Sequence, residues 1–144
     1  MADKNSTITL SNLEAEGLSS ALADLLARYS GRGIATSLQV DLDERLPIRA
    51  ESLLYRTAQE ALRNVANHAA AHHVDIRVER RGGAVVMEVR DDGRGFDPSA
   101  VRAAGAAGHV GLQGVMDLVS ESGGTVEVRS GVGKGTAVIV EVPA

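Results

Sequence analysis

Val74-Asp-Ile-Arg-Val-Glu-Arg-Arg-Gly-Gly-Ala-Val-Val-Met-Glu-Val-Arg-Asp-Asp-Gly-Arg-Gly-Phe96 is two alternating runs around a glycine pair, closed by an acidic, glycine-rich turn. Val74, Ile76 and Val78 point one way in the first run, and Val85, Met87 and Val89 do so in the second. Period-two alternation is the signature of a strand with one buried face, and Gly82-Gly83 between the runs is a hairpin signal. The stretch therefore predicts an antiparallel pair whose second strand ends in Asp91-Asp92-Gly93-Arg94-Gly95-Phe96.

Outward from this hairpin the pattern changes period. Upstream, Leu18, Leu22, Leu25 and Leu26 recur at helical spacing within Leu13 to Tyr29, and Gly31 and Gly33 stop that helix. Ile34 to Leu42 reads as a strand. Pro47 opens a second helix whose apolar face is Leu53, Leu54, Ala58, Ala61, Leu62, Val65 and Ala69. Downstream, Leu112, Val115, Leu118 and Val119 predict a third helix that Gly123-Gly124 ends. Two strands follow, Thr125 to Arg129 and Thr136 to Val142, around a glycine-rich turn. Adjacent strands with few crossovers imply a mixed, mostly antiparallel sheet with about three helices on one face, an α/β (α+β) two-layer sandwich. Met1 to Asn12 is polar and reads as a flexible linker, leaving residues 13–144 as one domain.

Composition narrows the function. The 144 residues suit one domain, and 44% apolar content supports a packed core. Phe96, Tyr29 and Tyr55 are the only aromatic residues and the net charge is −4. Both count against a nucleic-acid partner, which needs basic surface and stacking faces. The absence of cysteine excludes thiolate metal sites and cysteine nucleophiles and fits a cytoplasmic protein. No apolar run approaches the roughly 20 residues of a membrane span, so no membrane contact by this domain is expected.

Four segments could carry chemistry. On the second helix, Glu60, Asn64 and Asn67 fall within roughly 60° of one another at about 100° per residue, with His68 at the edge of the stripe. Polar stripes are usually solvated faces, but asparagine is a poor helix former and an unlikely choice for solubility alone. Carboxamide and carboxylate oxygens suit Mg²⁺, which takes one or two protein ligands and completes its shell with water and phosphate. Asp91, at a strand end, can accept from an exocyclic amino group, and Gly93 and Gly95 let the backbone approach a flat ligand; alone, this is an ordinary Asp/Gly turn. Gly108-His109-Val110-Gly111-Leu112 enters the third helix, whose first N–H groups are open to an anion. Gly133-Lys134-Gly135-Thr136 opens the last strand; it lacks the spacing of a Walker P-loop and by itself is a hairpin turn.

Together and in this order, the segments resemble the ATP-binding domain shared by histidine kinases, type II topoisomerase B subunits, heat-shock chaperones and mismatch-repair ATPases, the Bergerat fold. Tyr55-Arg-Thr-Ala-Gln-Glu-Ala-Leu-Arg-Asn-Val-Ala-Asn-His-Ala69 is similar to the N box, Asp91-x-Gly93-x-Gly95 to the first glycine box, Gly108 to Leu112 to the second, and Gly133 to Thr136 to the terminal Gly-Thr signature. Gln59-Glu60-Ala61-Leu62 and a short lid resemble the nitrate-sensor-like histidine kinases.

The resemblance implies ATP and Mg²⁺ as ligands. Asn64 would coordinate Mg²⁺, with Asn67 and His68 beside it, and Glu60 would orient a metal-bound water or the attacking group. Asp91 would accept from the adenine amino group. Gly93, Gly95 and Phe96 would make room for the base, and Thr136 would support the pocket. Residues 100–110 would form the lid, and Gly108, His109, Val110, Gly111 and Leu112 would meet the phosphates. Two departures stand out. Asn67 occupies a place where many relatives carry Lys, and Gly114-Val-Met-Asp-Leu118 lacks two arginines common in the subfamily. The histidines are His68, His72, His73 and His109, and none follows a long helix and precedes acidic residues. The phosphoacceptor is therefore expected on a separate dimerisation domain, and a response-regulator receiver domain is the expected next partner. His72 and His73 are expected at a helix C-terminus. Two alternatives remain at this stage: an anti-sigma-factor-type serine kinase, and a degenerate interaction module of the same fold.

Overall fold

Period-two burial builds one six-stranded sheet, and the helices cover the face where its valines and leucines gather. The structure, a computed structural model, describes residues 6–10, 16–42, 44–66, 71–94 and 110–144. The elements run β1 (Ser6–Leu10), α1 (Glu16–Ser30), β2 (Ala35–Asp41), α2 (Ile48–Asn64), β3 (His73–Arg81), β4 (Ala84–Asp91), α3 (Val110–Glu121), β5 (Thr125–Ser130) and β6 (Thr136–Pro143). The strand order is β1-β2-β3-β4-β6-β5. β1 pairs with β2 and β2 with β3 in parallel, while the β3–β4, β4–β6 and β5–β6 pairs are antiparallel. The expected mixed, mostly antiparallel two-layer sandwich is what forms.

The inner face carries Leu38 and Val40 of β2, Val74, Ile76 and Val78 of β3, Val85, Met87 and Val89 of β4, and Val138, Val140 and Val142 of β6. Against it pack Leu18, Leu22, Leu25 and Leu26 of α1, Leu54, Ala58, Ala61 and Leu62 of α2, and Val115 and Val119 of α3. With so few aromatics, this aliphatic interdigitation is the core. The outer face is laced with charge: Arg90 to Glu88 at 3.0 Å, Arg129 to Glu127 at 3.1 Å and Arg81 to Glu79 at 2.8 Å. Such exposed pairs contribute at most about 1 kcal/mol each, so they keep the face wet rather than hold the fold.

Two sequence expectations need correction. Ser6–Leu10 is not a linker: it adds a sixth strand, with Ser6 opposite Thr36 and Leu10 opposite Val40. Five residues of alternating Thr, Ile and Leu are too short to announce a strand without the β2 edge that accepts them. His73 opens β3 instead of closing α2, and the regular part of α2 ends at Asn64 with a π-type turn at Val65 and Ala66. The Val65 N–H is shared between the carbonyls of Ala61 and Leu62 there. Ala69, expected on the apolar face, lies outside the described residues.

Candidate functional site

β4 sets up the site by the same alternation that buries its valines. Val85, Met87, Val89 and Asp91 share the inner face, so the last member of an apolar row is a carboxylate, 8% exposed. Its Oδ1 accepts the Gly93 backbone N–H at 2.8 Å, which closes a tight turn directly after the strand. Burial raises the Asp91 pKa from its ordinary value and the neighbouring Asp92 adds to the push, while the backbone N–H groups of Gly93 and Thr136 partly oppose it.

β6 faces this residue. Thr136 stands opposite Asp91 in the β4–β6 ladder and opposite Ser130 in the β5–β6 ladder. The turn before Thr136 comes so close that a side chain at Gly135 would collide with the Asp91 carbonyl, and Gly135 holds φ at +75°, where glycine is favoured. The glycine of this hairpin is thus required by a close approach as well as by the turn. Ser130 Oγ lies 2.9 Å from Thr136 Oγ1 and donates to the Gly135 carbonyl at 3.0 Å. An open cavity of about 440 Å³ lies at this end of the sheet, lined by Asp91, Ser130, Lys134 and Thr136 and also by Arg90, Arg129 and Ala137, which alternate to the outer face.

A second carboxylate ties the start of β3 to this corner. Asp92 Oδ1 accepts the backbone N–H groups of His72 at 2.8 Å and His73 at 2.9 Å. Desolvation would raise its pKa, but the N–H groups of His73 and His72, together with its own N–H and the nearby His72 side chain, outweigh it, so it lies below the ordinary value. The second residue of β3, Val74, pairs with Asp91, so His72 and His73 lie at the Asp91 end of the sheet. Asn64 is the last residue of α2 and half-buried. Glu60, also half-buried and one turn earlier, pairs with Arg63 at 3.3 Å.

Val110, Gly111 and Leu112 form the first turn of α3, where the sequence placed a helix start. Asn67, His68, Gly95, Phe96, Gly108 and His109 lie outside the described residues. Asp91, Gly93 and Thr136 are brought together; Asn64 and Glu60 sit on the helix that rests against β4 and β6. Ser130 and Asp92 escaped the sequence reading, although the doubled aspartate at 91–92 was a visible signal.

A buried carboxylate at a strand end, a glycine turn beside it and an asparagine-bearing helix laid over the same sheet fit one family, and residues 49–144 match it: the histidine kinase-, DNA gyrase B- and HSP90-like ATPases. The chain belongs to this family. It is 33% identical over 100 residues to the signal transduction histidine-protein kinase/phosphatase DegS of Brevibacillus brevis, covering 69% of this chain and 25% of that protein. It is 33% identical over 132 residues to the sensor histidine kinase LiaS of Bacillus subtilis, covering 91% of this chain and 35% of LiaS. Among solved structures, the histidine kinase domain of a blue-light activated histidine kinase from Erythrobacter litoralis superposes with a TM-score of 0.69 at 26% identity, over 86% of this chain and 58% of that one. The chain thus spans only a quarter to a third of the length of these curated relatives. Among the described residues, no helix of this ATPase-family domain is long and apolar enough to cross a membrane.

Proposed function

We propose that this domain binds ATP with Mg²⁺ and donates the γ-phosphoryl group to a histidine on a separate dimerisation domain, as the cytoplasmic catalytic part of a two-component sensor kinase of the nitrate-sensor-like type. The observation that carries the proposal is Asp91: a carboxylate kept at the end of an apolar row, beside a glycine turn, in a chain of the ATPase family. Burying an acid costs free energy unless something uses it, and a base amino group is the donor that such an acceptor suits.

Asp91 accepts from the adenine amino group, with Gly93, Gly95 and Phe96 around the ring and Thr136 beside it. Asn64 offers a carboxamide oxygen to Mg²⁺. A half-buried carboxamide oxygen suits an ion that keeps water and phosphate as its other ligands. Bound Mg²⁺ supplies neutralisation of phosphate charge. Asn67 and His68 join Asn64 in holding the nucleotide. Gly108, His109, Val110, Gly111 and Leu112 bring lid backbone and the open N–H groups of α3 to the phosphates. Glu60, with Arg63 beside it, orients the attacking group. As the bond from the γ-phosphorus to ADP breaks, a bond to the imidazole nitrogen forms. The phosphoryl group then passes to an aspartate on a response-regulator receiver domain.

The relatives named as histidine kinases favour histidine over serine as the acceptor. Incubating the domain with γ-labelled ATP and a dimerisation domain supplied in trans tests this. Acid-labile, base-stable label on the dimerisation domain is expected; acid-stable label on serine, or no label with a competent partner, contradicts it.

A further inference from the structure

We infer that the exposed ridge of α2 formed by Arg49, Arg56 and Arg63 is a docking surface for an acidic helix, the one that carries the acceptor histidine. The inference rests on the reading that the γ-phosphoryl group passes to a histidine on a separate dimerisation domain, and adds to it where that domain sits.

The three arginines recur every seven residues along Ile48–Asn64, and all three are exposed. Seven residues are almost two turns, so the row drifts by only about 20° per step and stays on one face of the helix. Leu54, Ala58, Ala61 and Leu62 lie on the other face and seat α2 on the core. At a rise of about 1.5 Å per residue the arginines stand about 10.5 Å apart, and the ridge runs about 21 Å.

The helix has two carboxylates to set against them. Glu51 is off the ridge and is taken by Arg45 at 2.9 Å, while Glu60 is on it and meets Arg63 at 3.3 Å. Among the described residues, Arg49 and Arg56 meet no carboxylate. The ridge is therefore cationic in a chain whose net charge is −4. Ile48, beside Arg49, is 79% exposed and with Val132 is one of two large apolar side chains left in the open among the described residues.

A straight row of cations two turns apart is matched by a second helix with carboxylates at the same seven-residue repeat, and an apolar residue at its end covers Ile48. A helix fits better than an anionic membrane. A flat charged surface would also meet the acidic remainder of the domain, whereas a rod about 10 Å wide meets the ridge alone. The ridge also leads to the transfer point: Arg63 directly precedes Asn64, the proposed Mg²⁺ donor, and Glu60 stands on the same face.

The test is the rate of transfer from labelled ATP to a dimerisation domain supplied in trans, measured against the concentration of that domain. The double reversal Arg49→Glu, Arg56→Glu is expected to raise KM for the dimerisation domain by about tenfold, with kcat, ATP affinity and melting temperature at wild-type values. Glu is as good a helix former as Arg, so α2 keeps its shape. At roughly 1 M salt, where charges are screened beyond about 3 Å, the difference should close. Ile48→Ser should raise KM a few-fold at either salt concentration, as the loss of an apolar contact does. Transfer in wild type with an unchanged KM in the double reversal overturns the inference and leaves the kinase reading standing. So does an effect confined to kcat or to melting temperature, or a double reversal that abolishes binding to phosphatidylserine vesicles without moving KM. No transfer in wild type overturns the kinase reading and this inference with it.

Discussion

Asp91 and Thr136 face each other across the β4–β6 ladder, one closing its strand and the other opening its own. The two share the inner face of the sheet, so the apolar floor of the domain ends in a carboxylate beside a hydroxyl. Gly135 allows the approach and Gly93 caps the carboxylate from the other side.

Asp91→Asn keeps an oxygen that can accept the Gly93 N–H, so the turn and the fold should survive. It removes the charge that makes Asp91 an obligate acceptor. A hydrogen bond to a charged group contributes about 1.5–3 kcal/mol, so ATP affinity should fall by roughly 10- to 150-fold and the preference over GTP should largely vanish. Calorimetry with both nucleotides, alongside circular dichroism, measures this.

The raised pKa of Asp91 gives the site a pH dependence with a definite sign. The native carboxyl binds a proton more tightly than it does in the unfolded chain. Its contribution to stability therefore declines as pH rises through the window between the unfolded value, about 3.9, and the higher native one. Binding runs the other way. The amino group of adenine needs the ionised acceptor, so ATP affinity should fall as pH drops into that window. In Asp91→Asn this acid limb should be absent from titrations repeated down the pH scale.

Asn64→Ala removes the carboxamide proposed for Mg²⁺ from a position where it is only half-buried, so the protein should melt within a few degrees of wild type. ATP binding should become indifferent to Mg²⁺. Titrations with and without the ion, on wild type and variant, decide it; an undiminished Mg²⁺ effect in the variant removes Asn64 from the metal role.

Leu62, fully buried on the core side of α2, tests the scaffold apart from the site. Leu62→Ala should destabilise the domain by about 2–5 kcal/mol through lost burial and a residual cavity. Chemical denaturation should show a lower midpoint with an unchanged slope.

The hairpin of β3 and β4, the leucine spacing of α1 and the position of Asp91 were legible because each depends on neighbours within one or two turns of chain. β1 was not, since Ser6–Leu10 becomes a strand only by pairing with the β2 edge, and the polar composition of Met1 to Asn12 suggests a linker. His73 was misplaced for a related reason: the sequence suggests a helix C-terminus there, while pairing with β2 makes it the first residue of β3. Asp92 and Ser130 were not singled out as contributors. Asp92 works through backbone N–H groups 19 and 20 residues earlier, and Ser130 through a hydroxyl that only the β5–β6 register places opposite. The sequence marks residues that touch a ligand more readily than those that hold them.

Calorimetric titration of the purified domain with a non-hydrolysable ATP analogue, with and without Mg²⁺ and with the GTP counterpart, tests the central claim most directly. The account predicts binding that prefers adenine and strengthens with Mg²⁺. Equal affinity for the guanine analogue, or no binding in any condition even with a dimerisation domain attached, would contradict it.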